Sequence, residues 1–149
     1  MVRGIQIGLL LLLVSGSASA IAELALENGW VRMPPDGVST LAIYGELTNS
    51  GDSPLTVATW SLDNAGMVMV HRSELNGGRM QMRSAGPLTV PARGKLVLQP
   101  QGLHIMVMKF NAEIGIGDEI VIKAMTESSE SFSLTAAVVP INAIGPTLP

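Results

Sequence analysis

The sequence predicts an all-β fold, an antiparallel β-sandwich or barrel, on three observations. Short apolar runs rich in β-branched residues recur from Gly29 to Val139. Clusters of Gly, Pro, Asn, Asp and Ser separate many of these runs. No window sustains a helical period, an internal repeat or a block of like charge.

In chain order, strands are predicted at Gly29 to Met33, Leu41 to Leu47, Leu55 to Leu62 and Met67 to His71. Further strands are predicted at Met80 to Met82, Leu96 to Leu98, His104 to Phe110, Glu119 to Met125 and Phe132 to Val139. The turns that break them are Asn49-Ser50-Gly51-Asp52, Asn76-Gly77-Gly78, Ala92-Arg93-Gly94, Pro100-Gln101-Gly102 and Gly117-Asp118. Asn76-Gly77-Gly78 is a hairpin signal, and it places the segments of His71 and Met80 side by side.

Both ends fall outside this pattern. Arg3, the apolar stretch Ile5 to Val14 and the small residues Ala18-Ser19-Ala20 read as a secretory signal peptide covering residues 1–20, cleaved before Ile21. The apolar stretch is shorter than the roughly 20 residues a membrane span needs. The β-domain is assigned to 21–139. The uncharged tail 140–149 contains three prolines, neither His nor Met, and is expected to run extended.

Composition narrows the function. Removing 20 of 149 residues leaves 129, enough for one domain with its own core. Without Arg3, eight basic residues face 12 acidic ones, a net charge of −4. That balance argues against nucleic acid or an anionic membrane surface as partner. The chain has no cysteine, so disulfides and lipid attachment through a thiol after the cleavage site are both excluded, and no membrane insertion is expected once the signal is removed. Nor is there a thiol nucleophile, and the carboxylates are scattered without a defensible pair, so no enzyme is expected.

The side chains that carry chemistry are concentrated in one stretch. His71 and His104 are the two histidines, and six of the nine methionines lie between positions 67 and 108 with them. Along a strand, period two puts Met67, Met69 and His71 on one face, with Val68 and Val70 opposite. It likewise groups His104, Met106 and Met108, and pairs Met80 with Met82. His104 and Met106 follow the Pro100 to Gly102 turn, where a site is expected to open to a partner. Imidazole and thioether together form a soft, uncharged donor set that suits Cu(I) better than Zn(II), Mg(II) or Ca(II). Met67, Met69 and Met108 are expected to fill the core instead, because methionine packs irregular apolar space well.

The spacing His71, ten residues, Met82, twenty-one residues, His104, one residue, Met106 resembles the motif of the periplasmic copper chaperones called PCu(A)C. So do Gly29-Trp30-Val31-Arg32, Tyr44 with Leu47 to Asp52, Met80-Gln81-Met82-Arg83 and Leu103 to Met108. Together they span about Asn28 to Val138. The resemblance implies a cupredoxin-like β-sandwich that binds one Cu(I) per chain through His71, Met82, His104 and Met106. It implies a monomer that delivers copper in the periplasm to a protein acceptor, either a cytochrome c oxidase copper centre or a Sco-type thiol protein. This chain departs from the pattern at Arg72, where the family commonly has an acidic residue. A copper-storage or detoxification protein has the same ligands. A metal-free secreted interaction module, with methionines as core, also fits the composition.

Overall fold

The computed structural model describes residues 23–146, so the predicted signal segment lies outside the described residues. These form ten strands with no helix among them. They are β1 (Leu24–Arg32), β2 (Thr40–Asn49), β3 (Leu55–Leu62), β4 (Met67–Asn76) and β5 (Arg79–Ser84), followed by β6 (Leu88–Val90), β7 (Gly94–Leu98), β8 (Leu103–Met108), β9 (Glu119–Thr126) and β10 (Ser131–Val139). Hydrogen bonding connects them in the order β5-β4-β8-β2-β1-β10-β9-β3-β6, with β7 also paired to β2. The path folds over so that β3 packs on β4, giving two layers around one core.

Alternation builds that core. In β9, Ile120, Ile122, Ala124 and Thr126 point inward while Glu119, Val121, Lys123 and Met125 point out. Val31, Ile43, Leu47, Val57, Ile105, Val107, Ile122 and Val138 are completely buried. Each such side chain contributes about 1.5–3 kcal/mol by leaving water.

The antiparallel expectation is corrected at one place. β1 and β10 run parallel, with Trp30 opposite Ala137 and Val31 opposite Val138. They are the first and last strands, so no tight turn joins them and no hairpin geometry imposes antiparallel pairing. β1 also carries an irregularity between Glu27 and Trp30. There Gly29 lies against the Thr135 carbonyl so closely that no side chain would fit.

Strand boundaries depart from expectation where tertiary pairing decides them. β6 was not predicted; only three residues long, it sits between Pro87 and Pro91 and exists by pairing with β3. β8 stops at Met108 because Lys109 takes a left-handed φ of 54°. β4 continues to Asn76 and joins β5 through Gly77 and Gly78, both at positive φ, as a two-residue hairpin turn requires.

Two polar anchors fix the frame. Asn49 is buried, its Nδ2 donating to the carbonyls of Ser53 (2.9 Å), Val90 (3.3 Å) and Pro91 (3.2 Å), while its Oδ1 accepts from the Gly51 N–H at 2.9 Å. The tail does not simply run extended. The Ala143 N–H donates to the Pro140 carbonyl at 2.9 Å, and Arg32 Nε holds the Ala143 carbonyl at 2.8 Å. Ala143 thereby covers a small cluster of Trp30, Tyr44 and Val139 on the outer face of the sheet.

Candidate metal centre

Strands β4 and β8 are antiparallel neighbours in a register that matches donor to donor. Met67 lies opposite Met108, Met69 opposite Met106, and His71 opposite His104. Directly opposed residues share a face, so these six side chains form one outward ladder. The other face carries Val68, Val70, Ile105 and Val107, which meet the core. The assignment of Met67, Met69 and Met108 to the core is therefore wrong. Met67 is 49% exposed, Met69 and Met108 are half-buried, and none of the three belongs to the core cluster. Aliphatic valine and isoleucine take the buried face, where well-defined shapes pack best, and thioethers are left outside.

His104 is the fixed member of the pair, only 3% exposed. Its Nδ1 lies 3.0 Å from the Gly102 carbonyl. A carbonyl only accepts, so Nδ1 carries the proton and Nε2 keeps its lone pair, the arrangement that orients a metal-binding histidine. The same carbonyl accepts the Ser73 N–H at 3.0 Å, tying β4 to the turn before β8. On its far side His104 meets Tyr44, ring centres 6.1 Å apart, and Tyr44 packs on Trp30 at 4.6 Å. Arg32 lies over Trp30 at 5.4 Å. The expectation that the turn leaves this histidine open is corrected: the aromatic cluster and the turn enclose it.

His71 stands edge-on to His104, ring centres 6.1 Å apart and planes at 80°. Its Nδ1 is buried without a hydrogen-bond partner. Leaving such a group unpaired costs about 1–3 kcal/mol. Burial, and secondarily the neighbouring His104, hold the basicity of His71 below the usual histidine range. It is thus held in the neutral form that can donate a lone pair.

Met106 follows on the same face as His104, beside Met69. Met82 approaches from the other side of β4. From β5 it pairs with Ser73 of β4, and His71 pairs with Ser84, so Met82 lies diagonally beside His71 on the same face. Met82 is 54% exposed, on a hairpin whose tip extends past the end of β8. All four residues of the predicted set thus project from one sheet face: two imidazoles and one thioether on adjacent strands, and a second thioether on the edge strand. Arg72 takes the opposite face, 4.0 Å from Glu74, so the backbone separates its charge from the donors. An orphaned imidazole nitrogen, a second imidazole with its tautomer fixed, and uncharged thioethers fit a soft monovalent cation. Two supports were not singled out from sequence, the Gly102 carbonyl and the ring of Tyr44. The only hint of the first was the Pro100-Gln101-Gly102 turn directly before the histidine.

The LpqE-like family, described as putative lipoprotein LpqE-like, matches residues 24–138. The chain belongs to this family. A relative, the putative lipoprotein Lxx21020 of Leifsonia xyli subsp. xyli, is 27% identical over 96 residues, which are 64% of this chain and 57% of the relative. The matched part of the chain thus spans little more than half of that relative's length. Among solved structures, the Cu(I) form of DR1885 from Deinococcus radiodurans superposes with a TM-score of 0.65. It is 25% identical, and the match covers 87% of this chain and 85% of that one. The apo PCuAC domain of PmoF2 superposes with a TM-score of 0.67 at 18% identity, covering 86% and 97%. The fold is accordingly the cupredoxin-like β-sandwich that the motif implied.

Proposed function

We propose that this protein is a copper chaperone of the cell envelope, carrying one Cu(I) as cargo between His71, Met82, His104 and Met106. The observation that carries this reading is the pair of opposed imidazoles on a thioether face, one with a proton fixed on Nδ1 and the other with an orphaned buried nitrogen. Two similar structures, Cu(I)-DR1885 and the copper-bound PCuAC domain of PmoF2, support it. So does the position of six methionines outside the core, which removes the main argument for a metal-free module.

Four neutral ligands leave the ion with its single positive charge, and soft donors favour the reduced state. A blue-copper electron-transfer centre needs a cysteine thiolate, which this chain lacks. The ligands differ in how firmly they are held. His104 is locked by Gly102 and Tyr44, whereas Met82 stands exposed on the hairpin, so Met82 leaves first and its position admits the ligand of an acceptor. A thiolate acceptor wins the ion because thiolate is the stronger soft donor. Cytochrome c oxidase copper centres and Sco-type thiol proteins are acceptors of this kind. Export through the segment 1–20, release of a mature chain beginning at Ile21 and residence in the periplasm complete the proposal. The family's description as lipoproteins supports an envelope location.

The test is transfer from the Cu(I)-loaded protein to an apo thiolate acceptor, with and without excess of a chelator that cannot itself donate copper. Transfer that persists in the presence of chelator is expected. Complete interception by the chelator identifies a storage or detoxification protein instead. N-terminal sequencing of the periplasmic fraction checks the export step, and recovery of Met1 in the membrane contradicts it.

A further inference from the structure

The proposed four-ligand set leaves Met67, Met69 and Met108 unused, yet they form the opposite end of the same ladder. Met67 faces Met108 directly, and Met69 is two residues along from Met67 on the same face. Opposed residues in an antiparallel pair hold their Cβ atoms about 4.5–5.5 Å apart, and diagonal ones about 7–8 Å. Flexible thioether side chains can converge over those distances. The β2 positions paired with this part of β8 are Thr40 and Ala42, small residues that carry no charge. Packing does not account for the three methionines, because none belongs to the core cluster and Met67 is half-exposed. A surface position on a strand is ordinarily filled by a polar or β-branched residue, and three thioethers at neighbouring positions of one face call for another explanation.

We propose that Met67, Met69 and Met108 form a second, thioether-only site for a soft monovalent cation, taking Cu(I), separate from the histidine site in the same sheet face. It shares the soft-donor logic of the proposed chaperone site but none of its ligands. Three neutral sulfurs without an imidazole make it the weaker of the two sites. Met69, opposite Met106, lies between them. Copper captured at the exposed Met67 end can therefore pass along the ladder to the imidazoles without returning to water.

Titration of the full chain with Cu(I) under anaerobic conditions, read from methionine methyl resonances labelled with carbon-13, tests this. The first equivalent is expected to shift Met82 and Met106, and a second, weaker equivalent to shift Met67, Met69 and Met108. A Met67→Leu/Met108→Leu variant, near-isosteric and expected to keep its apo unfolding transition, should bind one equivalent fewer and retain the first. A His71→Ala/His104→Ala variant should lose the first equivalent and keep the thioether shifts. Saturation of the unsubstituted protein at one equivalent overturns the proposal. So does a second equivalent that leaves Met67, Met69 and Met108 unmoved, or loss of their shifts in the histidine variant, which would make them part of one extended site. If the histidine variant keeps both equivalents, the four-ligand reading fails, and the leucine variant alone decides the thioether site.

Discussion

His104 and Met82 lie on the same sheet face, yet their surroundings are opposite. His104 is enclosed, hydrogen-bonded to a carbonyl that also ties down β4, and backed by Tyr44 and Trp30. Met82 is on an edge strand that is exposed along its whole length. One side of the site is built before any ion arrives, and the other is free to rearrange. A protein that must both hold and surrender a cation needs this asymmetry, since rigid ligands on all sides would slow release.

The largest expected effect tests whether the frame behind the enclosed half is what holds it. Replacing Ile105, completely buried between His104 and Met106 in sequence, with Ala should destabilise the apo protein by about 2–5 kcal/mol. Chemical denaturation measures this, and a negligible loss would mean that the frame is not packed as described. Next comes His104→Ala, which should weaken Cu(I) binding by on the order of 100-fold, since even orienting partners of metal ligands are typically worth 10–100-fold. Competition against a Cu(I) chelator reads it, and the comparison breaks if Met82→Leu costs more. Met82→Leu itself should weaken binding by roughly tenfold, about 1.4 kcal/mol, while speeding transfer to a thiolate acceptor and leaving apo stability almost unchanged.

Much of this arrangement was legible in the sequence. The family resemblance carried by the spacing from His71 to Met106 singled out the four residues, and period two put each on the correct side of its strand relative to its neighbours. Alternation, however, divides residues into two faces without saying which is inside. Met67-Val68-Met69-Val70 is apolar on both faces, and the burial of valine rather than methionine emerges only when β4 packs on β8 and β3. The parallel pairing of β1 with β10 and the existence of β6 depend on partners distant in sequence, which no local pattern encodes. The enclosure of His104 was missed for the same reason, because Tyr44 reaches it from another strand.

The smallest expected effect concerns pH. Burial, then the neighbouring His104, lower the basicity of His71 in the folded protein, while the unfolded chain takes up this proton near the ordinary value of about 6.5. The unfolded state therefore binds more protons between the two values. The contribution of His71 to apo stability should be complete above about pH 6.5, decline as pH falls through that value, and level off below the folded-state value. Denaturation midpoints for the unsubstituted protein and His71→Gln across about pH 5 to 8 should differ in slope below about pH 6.5 and share one slope above it. Parallel curves would show that His71 is not shielded from solvent protons.

The hairpin that carries Met82 has a second consequence, for self-association. β5 is an edge of the sheet, with unpaired backbone groups along one side. Met80 and Met82, on the face that carries both histidines, make that edge apolar and attractive to another copy. The reverse face carries Arg79 and Arg83, with Arg72 directly across from Arg83. If two copies joined antiparallel through β5 about Gln81, Arg79 of each would be set against Arg83 of the other. Like charges directly opposed are destabilising. The arginine face thus guards an edge that the methionine face leaves sticky.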